Sequence, residues 1–147
     1  MDILLNFIFS FIASYCFAVL FDSPRRLFVL SGCVGAAAWM TSETMIHHFK
    51  MPDIYGYFLG SLMLGLMCHT MARFYLEPAM LFMIPGIIPL VPGGLAYDAT
   101  MKMMLNQTDK PVEILMEITM LAGAIAIGLL FSDYVFRLIT EKKISNY

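Results

Sequence analysis

The chain has 147 residues, of which 60% are hydrophobic and only 14% charged, with a net charge of -2. Soluble domains use roughly 45–50% apolar and about 25% charged residues, so too little polar side chain is present here to coat a globule in water. Near-neutral charge and the lack of a basic block exclude a nucleic-acid footprint, and mean hydropathy of +0.77 points to an all-α integral membrane protein.

The first apolar run, Ile3 to Phe21, follows Asp2 and no basic stretch, and no small-residue cleavage site precedes Ser23-Pro24-Arg25-Arg26, so it reads as a retained span. A span needs about 20 residues, because the hydrocarbon core is about 30 Å thick and a helix rises 1.5 Å per residue. About five transmembrane helices are expected in one membrane domain covering residues 1–147, with spans at about 3–21, 27–49, 54–76, 79–105 and 111–139. Arg25, Arg26, Arg73, Arg137, Lys142 and Lys143 fall on one side of such a bundle, and Lys50, Lys102 and Lys110 on the other. Six against three places the first group inside. The expected topology is N-out and C-in, in the cell (cytoplasmic) membrane, multi-pass.

The second span carries small residues (Gly32, Gly35, Ala36, Ala37, Ala38) and, near its outer end, Thr41, Ser42, Glu43, Thr44, His47 and His48. Glu43 and His47 are four apart and share a helix face, with Trp39 and Gly35 one and two turns back. An ionisable residue within a span is a functional candidate by default, so Glu43 and His47 are candidate coupling or substrate groups, weighed against ordinary placement at a wet interface. The third span has Gly56-x-x-x-Gly60 and continues with Ser61 and Gly65, the small-residue spacing that lets helices approach closely. Met63, Met67 and Met71 lie beside Cys68 and His69 at helical spacing; soft ligands of this kind suit Cu(I), but methionine is also the usual filler of apolar gaps. Cys16, Cys33 and Cys68 lack metal-site spacing and are expected to be inert buried thiols.

The fourth span is interrupted. Pro85, Gly86, Pro89, Pro92, Gly93 and Gly94 fall within one otherwise apolar run that ends on Tyr97 and Asp98. Proline removes a backbone donor and clashes with the preceding turn, so no regular helix is expected through this stretch. Freed backbone groups at membrane depth must be satisfied by protein, water or solute, as in the broken helices that line transporter sites. Pro85, Gly86, Pro89, Pro92, Gly93, Gly94, Tyr97 and Asp98 are therefore the expected substrate path. A half-helix starting at Gly93 would offer free amides to an anionic group. The fifth span opens on Pro111, with Glu113 and Glu117 in its first turns, and Ala124 and Gly128 form a small face. There is no HExxH, GxSxG or phosphate loop, so neither an enzyme, a cofactor nor a bound metal is expected.

The pattern Pro85-Gly86-Ile87-Ile88-Pro89-Leu90-Val91-Pro92-Gly93-Gly94-Leu95-Ala96-Tyr97 resembles the threonine/serine exporter family. So do Phe21-Asp22-Ser23-Pro24-Arg25-Arg26 and Arg73-Phe74-Tyr75-Leu76-Glu77-Pro78, and the resemblance is to the family's short, YjjB-like second half. It implies a small subunit of an exporter for threonine and serine or for related small organic acids. It also implies a larger ThrE-like (YjjP-like) membrane partner, related to this half by inverted topology. Glu43 and the His47-His48 pair have no counterpart in that pattern. A scaffold subunit that merely stabilises a membrane partner is the alternative expectation.

Overall fold

The computed structural model describes residues 2–105 and 111–144. Every described element is helical: α1 (Asp2–Leu20), α2 (Phe28–Glu43), α3 (Asp53–Tyr75), α4 (Met80–Ile87), α5 (Gly93–Met104) and α6 (Pro111–Ile144). α2 continues without interruption into a π-helical turn, Thr44–His48, and α4 into a 3-10 turn, Ile88–Leu90. Lys110, counted in the charge balance, lies outside the described residues.

Ile3–Leu20, Asp53–Tyr75 and Val112–Thr140 are each long and apolar enough to cross a membrane, and α4 and α5 form a pair bent by 50° that meets the same test together. Their outward surface is apolar as well, with Phe9, Phe74 and Leu130 exposed. In water such a surface would drive aggregation; in lipid it is the stable arrangement.

The helices meet through glycine and serine rather than through large side chains. A Cβ on Gly35 would overlap Ser14 of α1 and come within 3.2 Å of the Gly86 Cα on α4. A Cβ on Gly60 would come within 2.9 Å of the Ala38 carbonyl oxygen on α2. Between α3 and α6 the arrangement is reciprocal: a Cβ on Gly65 would collide with Ser132, and one on Gly128 with Ser61. The small-residue strip expected along the third span is thus two strips, Gly56 and Gly60 toward α2, and Ser61 and Gly65 toward α6. Dispersion gained by close backbone approach holds these contacts together, since leaving lipid gains nothing for an apolar side chain.

Cross-helix contacts fix the relative directions. Gly60 sits against Ala38 and Gly56 against Ile46, so α3 runs opposite to α2. Ser31 faces Leu81 and Gly35 faces Gly86, so α4 runs with α2. Phe58 stands by Phe131, His69 stacks on Phe136 at 4.9 Å, and Arg73 reaches Thr140 at 3.3 Å, so α6 runs with α3. On the same seam His69 Nε2 lies 3.4 Å from Asp133, which also pairs with Arg137 at 3.0 Å. Arg26 pairs with Glu77 and ties the first turn to the end of α3.

The core lies where α2, α3 and α4 converge, with Leu27, Val34, Leu64, Cys68, Phe82 and Leu90 fully or almost fully buried. Met67 and Met71 pack against this cluster as apolar filler. Of the three thiols, Cys68 is buried as expected, but Cys16 and Cys33 are exposed on the lipid-facing surface. Each is an apolar-run residue that happens to point away from the neighbouring helices.

Candidate functional site

Two regions stand out in the sequence, and they prove different in kind. In the broken span, Pro85 lies inside α4, which continues through it as regular helix, contrary to the expectation that helix stops there. The missing proline N–H leaves the Leu81 carbonyl, four residues back, without its helical donor. The Ser31 hydroxyl of α2 approaches that oxygen at 3.5 Å, a long contact at the one place where the helix has lost a bond. Such cross-helix hydroxyls are how membrane helices tolerate internal proline. Pro85 and Gly86 are both buried, and Gly86 has no room for a side chain: a Cβ there would come within 2.7 Å of Leu64.

The real break falls later, at Val91–Pro92, where the backbone becomes extended before α5 starts at Gly93. Pro89 and Pro92 are half-buried, whereas Gly93, Gly94, Tyr97 and Asp98 are exposed. Nothing lies within 4 Å of where a Cβ would stand on Gly93 or Gly94. Asp98 pairs with Lys102 one turn on, at 2.8 Å. The segment thus joins a packed first half to an outward-facing second half, and the structure does not bring the eight residues together around one space.

The second region does border a space, open on one side. A cavity of about 530 Å³ lies between the first turns of α1 and the last turns of α2, lined by Ile3, Asn6, Met40, Glu43, Thr44, His47 and His48. Its walls are apolar at Ile3 and Met40 and polar elsewhere. Glu43 is the anchor. The Asn6 amide donates to Glu43 Oε1 at 3.0 Å, and His47 Nε2 lies 3.4 Å from the same oxygen. The shared helix face expected of Glu43 and His47 is therefore realised as a direct contact.

Local backbone explains why these groups meet. At Thr44 the helix widens into a π turn, with the Phe49 N–H bonded to the Thr44 carbonyl at 3.2 Å, five residues back. The Thr44 hydroxyl donates to the Met40 carbonyl at 2.6 Å and so supports the preceding turn. The wider turn changes the direction of the side chains beyond Thr44. Ile46 is directed onto Gly56 of α3, and both histidines remain exposed at the cavity.

Asn6 is the lining residue that the sequence pattern alone does not single out. A faint signal is present, since Asn6, Ser10 and Ser14 recur every four residues in an otherwise apolar run and form a polar stripe along α1. Ser10 and Ser14 are buried, and the Ser10 hydroxyl donates to the Asn6 carbonyl at 2.7 Å. Chemically the site presents one fixed carboxylate, an amide that holds it, two imidazoles and an apolar wall.

The family described as Threonine/Serine exporter, ThrE, matches residues 6–135, which include the Pro/Gly-rich segment, most of α6 and every cavity-lining residue but Ile3. An uncharacterized protein of Haemophilus influenzae is 26% identical over 104 residues, 71% of this chain. The match spans only 35% of that relative, so the chain corresponds to about a third of its length. No solved structure gives a significant match.

Proposed function

The chain belongs to the threonine/serine exporter family, and from that premise we propose that it is a membrane subunit of an exporter for threonine and serine or related small organic acids. It works with a larger ThrE-like (YjjP-like) partner. The observation that carries this reading is the Glu43–Asn6–His47 cavity, a half-open, solute-sized space at one end of the helical bundle that sets a carboxylate, an amide and imidazoles in a mostly apolar lining. A carboxylate within a span is costly and persists where a pathway uses it. Five crossings are compatible with the helix directions, because strict alternation makes α2 and the α4–α5 pair run one way and α1, α3 and α6 the other; N-out and C-in rests on the Lys/Arg split. In that orientation the cavity opens on the outer side, where an exporter releases solute. The exposed second half of the broken span, from Gly93 to Asp98, then forms the part of the path that the partner covers.

The test is export of threonine from preloaded cells that carry this chain alone, the partner alone, or both. Export only with both, abolished when Met40→Trp fills the cavity while the protein still inserts, is the expected result. Full-rate export by the chain alone removes the partner from the account. Unchanged export by Met40→Trp favours the alternative, a scaffold subunit whose exposed Gly93–Asp98 surface serves only to hold the partner.

A further inference from the structure

We propose that Glu43 is the specificity-determining group of the cavity and takes the ammonium end of a small amino-acid solute, with Asn6 as its positioning residue. The inference rests on the reading of the cavity as a solute site and narrows which solutes that site accepts.

A carboxylate is an acceptor only, so whatever binds it must bring donors. Both described contacts to Glu43 land on Oε1, from Asn6 on α1 and from His47 one turn along its own helix. Oε2 keeps its capacity for a charge-assisted hydrogen bond, and an ammonium group brings three donors to it. The Asn6 amide is neutral and holds the carboxylate without cancelling its charge. A guanidinium or lysine in that place would have neutralised it and left no need for a cationic ligand group. The exposed imidazole of His48, on the same cavity wall, supplies a donor for the other end of a zwitterion, while His47 Nε2 is turned to Glu43 Oε1. Ile3 and Met40 give the short side chain an apolar wall. A dicarboxylate fits this arrangement poorly, because one of its two like charges must approach the Glu43 carboxylate with no ammonium to offset it.

The experiment uses the full chain with its partner in cells or vesicles. It measures uptake or export of labelled threonine, of 3-hydroxybutyrate (threonine without its amino group) and of succinate. The wild type is expected to prefer threonine to both other solutes at least tenfold. Glu43→Gln keeps the volume and removes the charge, and should raise the KM for threonine at least tenfold and erase the preference over 3-hydroxybutyrate. Asn6→Ala should raise that KM several-fold with little change in maximal rate, because the carboxylate remains but is no longer held. Glu43→Asp, which restores a carboxylate, should recover part of the preference and shows that loss in Glu43→Gln is not loss of folding. If Glu43→Gln lowers transport of all solutes alike and keeps the threonine preference, the ammonium assignment is wrong while the cavity reading stands. If neither Glu43→Gln, Asn6→Ala nor Met40→Trp alters any solute, the cavity reading itself fails.

Discussion

Single residues decide how closely these helices approach. Gly128 lies against Ser61, and a Cβ there would also come within 2.7 Å of the Phe58 carbonyl oxygen, which belongs to backbone and cannot rotate away. Gly128→Val should therefore destabilise the α3–α6 contact by about 1–3 kcal/mol, the usual cost of overpacking. The effect should appear as a lower melting temperature in detergent. Gly93→Val and Gly94→Val meet nothing within 4 Å and should leave the isolated chain's melting temperature unchanged. Loss of export in those two variants at normal protein level would then report on the partner or the solute. That glycines mark packing was legible in the sequence. Which serine faces which glycine was not, because i, i+4 spacing gives a face but not its neighbour: Gly60 and Ser61 are adjacent in sequence and serve different helices.

At the scale of elements, a helix pair bent by 50° lies where the proline and glycine pattern falls, but its break comes later than the first proline. Pro85 looks as disruptive as Pro92, yet the packing of Phe82, Gly86 and Leu90 against α2 and α3 holds α4 helical through it. Pro92 has no such support on its far side, where α5 packs on α6 and Gly93 and Gly94 stand exposed. Pro92→Ala restores an N–H and removes a clash worth roughly 3 kcal/mol in a helix interior. It should straighten the 50° bend. With a rise of 1.5 Å per residue, the distance between spin labels at Met80 and Met104 should lengthen by about 3–5 Å. An unchanged distance would mean that the neighbouring helices impose the bend. The π turn at Thr44–His48 had no signature in composition or spacing, since Thr-Met-Ile-His-His is compatible with ordinary helix; only the contact of Ile46 with Gly56 reveals what the wider turn achieves.

For the molecule as a whole, the helix directions carry the topology. Because α6 runs parallel to α3, both helices start on the same side of a membrane that they cross. On the five-crossing proposal the chain leaves that side through α3 and returns through the α4–α5 pair. Cysteines replacing Asp2 and Ser145 singly, in a chain freed of Cys16, Cys33 and Cys68, should be labelled by an impermeant maleimide from opposite sides, Asp2→Cys from outside. Ser145 lies outside the described residues, but α6 runs to Ile144 immediately before it. Labelling of both from one side would contradict five crossings. The limits of the three helices long and apolar enough to cross, Ile3–Leu20, Asp53–Tyr75 and Val112–Thr140, were legible within a residue or two because lipid thickness sets such lengths, whereas the expected second span, 27–49, holds the 16-residue α2, which does not meet that test. The cavity was legible only in part: Glu43 and His47 announced themselves as charge in an apolar run, while Asn6 stands 37 positions away and joined them only through the packing of α1 on α2.

A small solute is expected to occupy the cavity that Asn6, Met40 and Glu43 line together. Met40 lines that space without hydrogen-bonding to either group through its side chain, so Met40→Cys places a reporter in the wall while leaving the carboxylate and its amide in place. With the native cysteines removed and the partner present, the rate of labelling from outside by an impermeant maleimide is the measurement. The account predicts labelling that threonine or serine slows several-fold, and that Glu43→Gln makes insensitive to either. Labelling at the same rate with and without solute, or no labelling from outside, would contradict it.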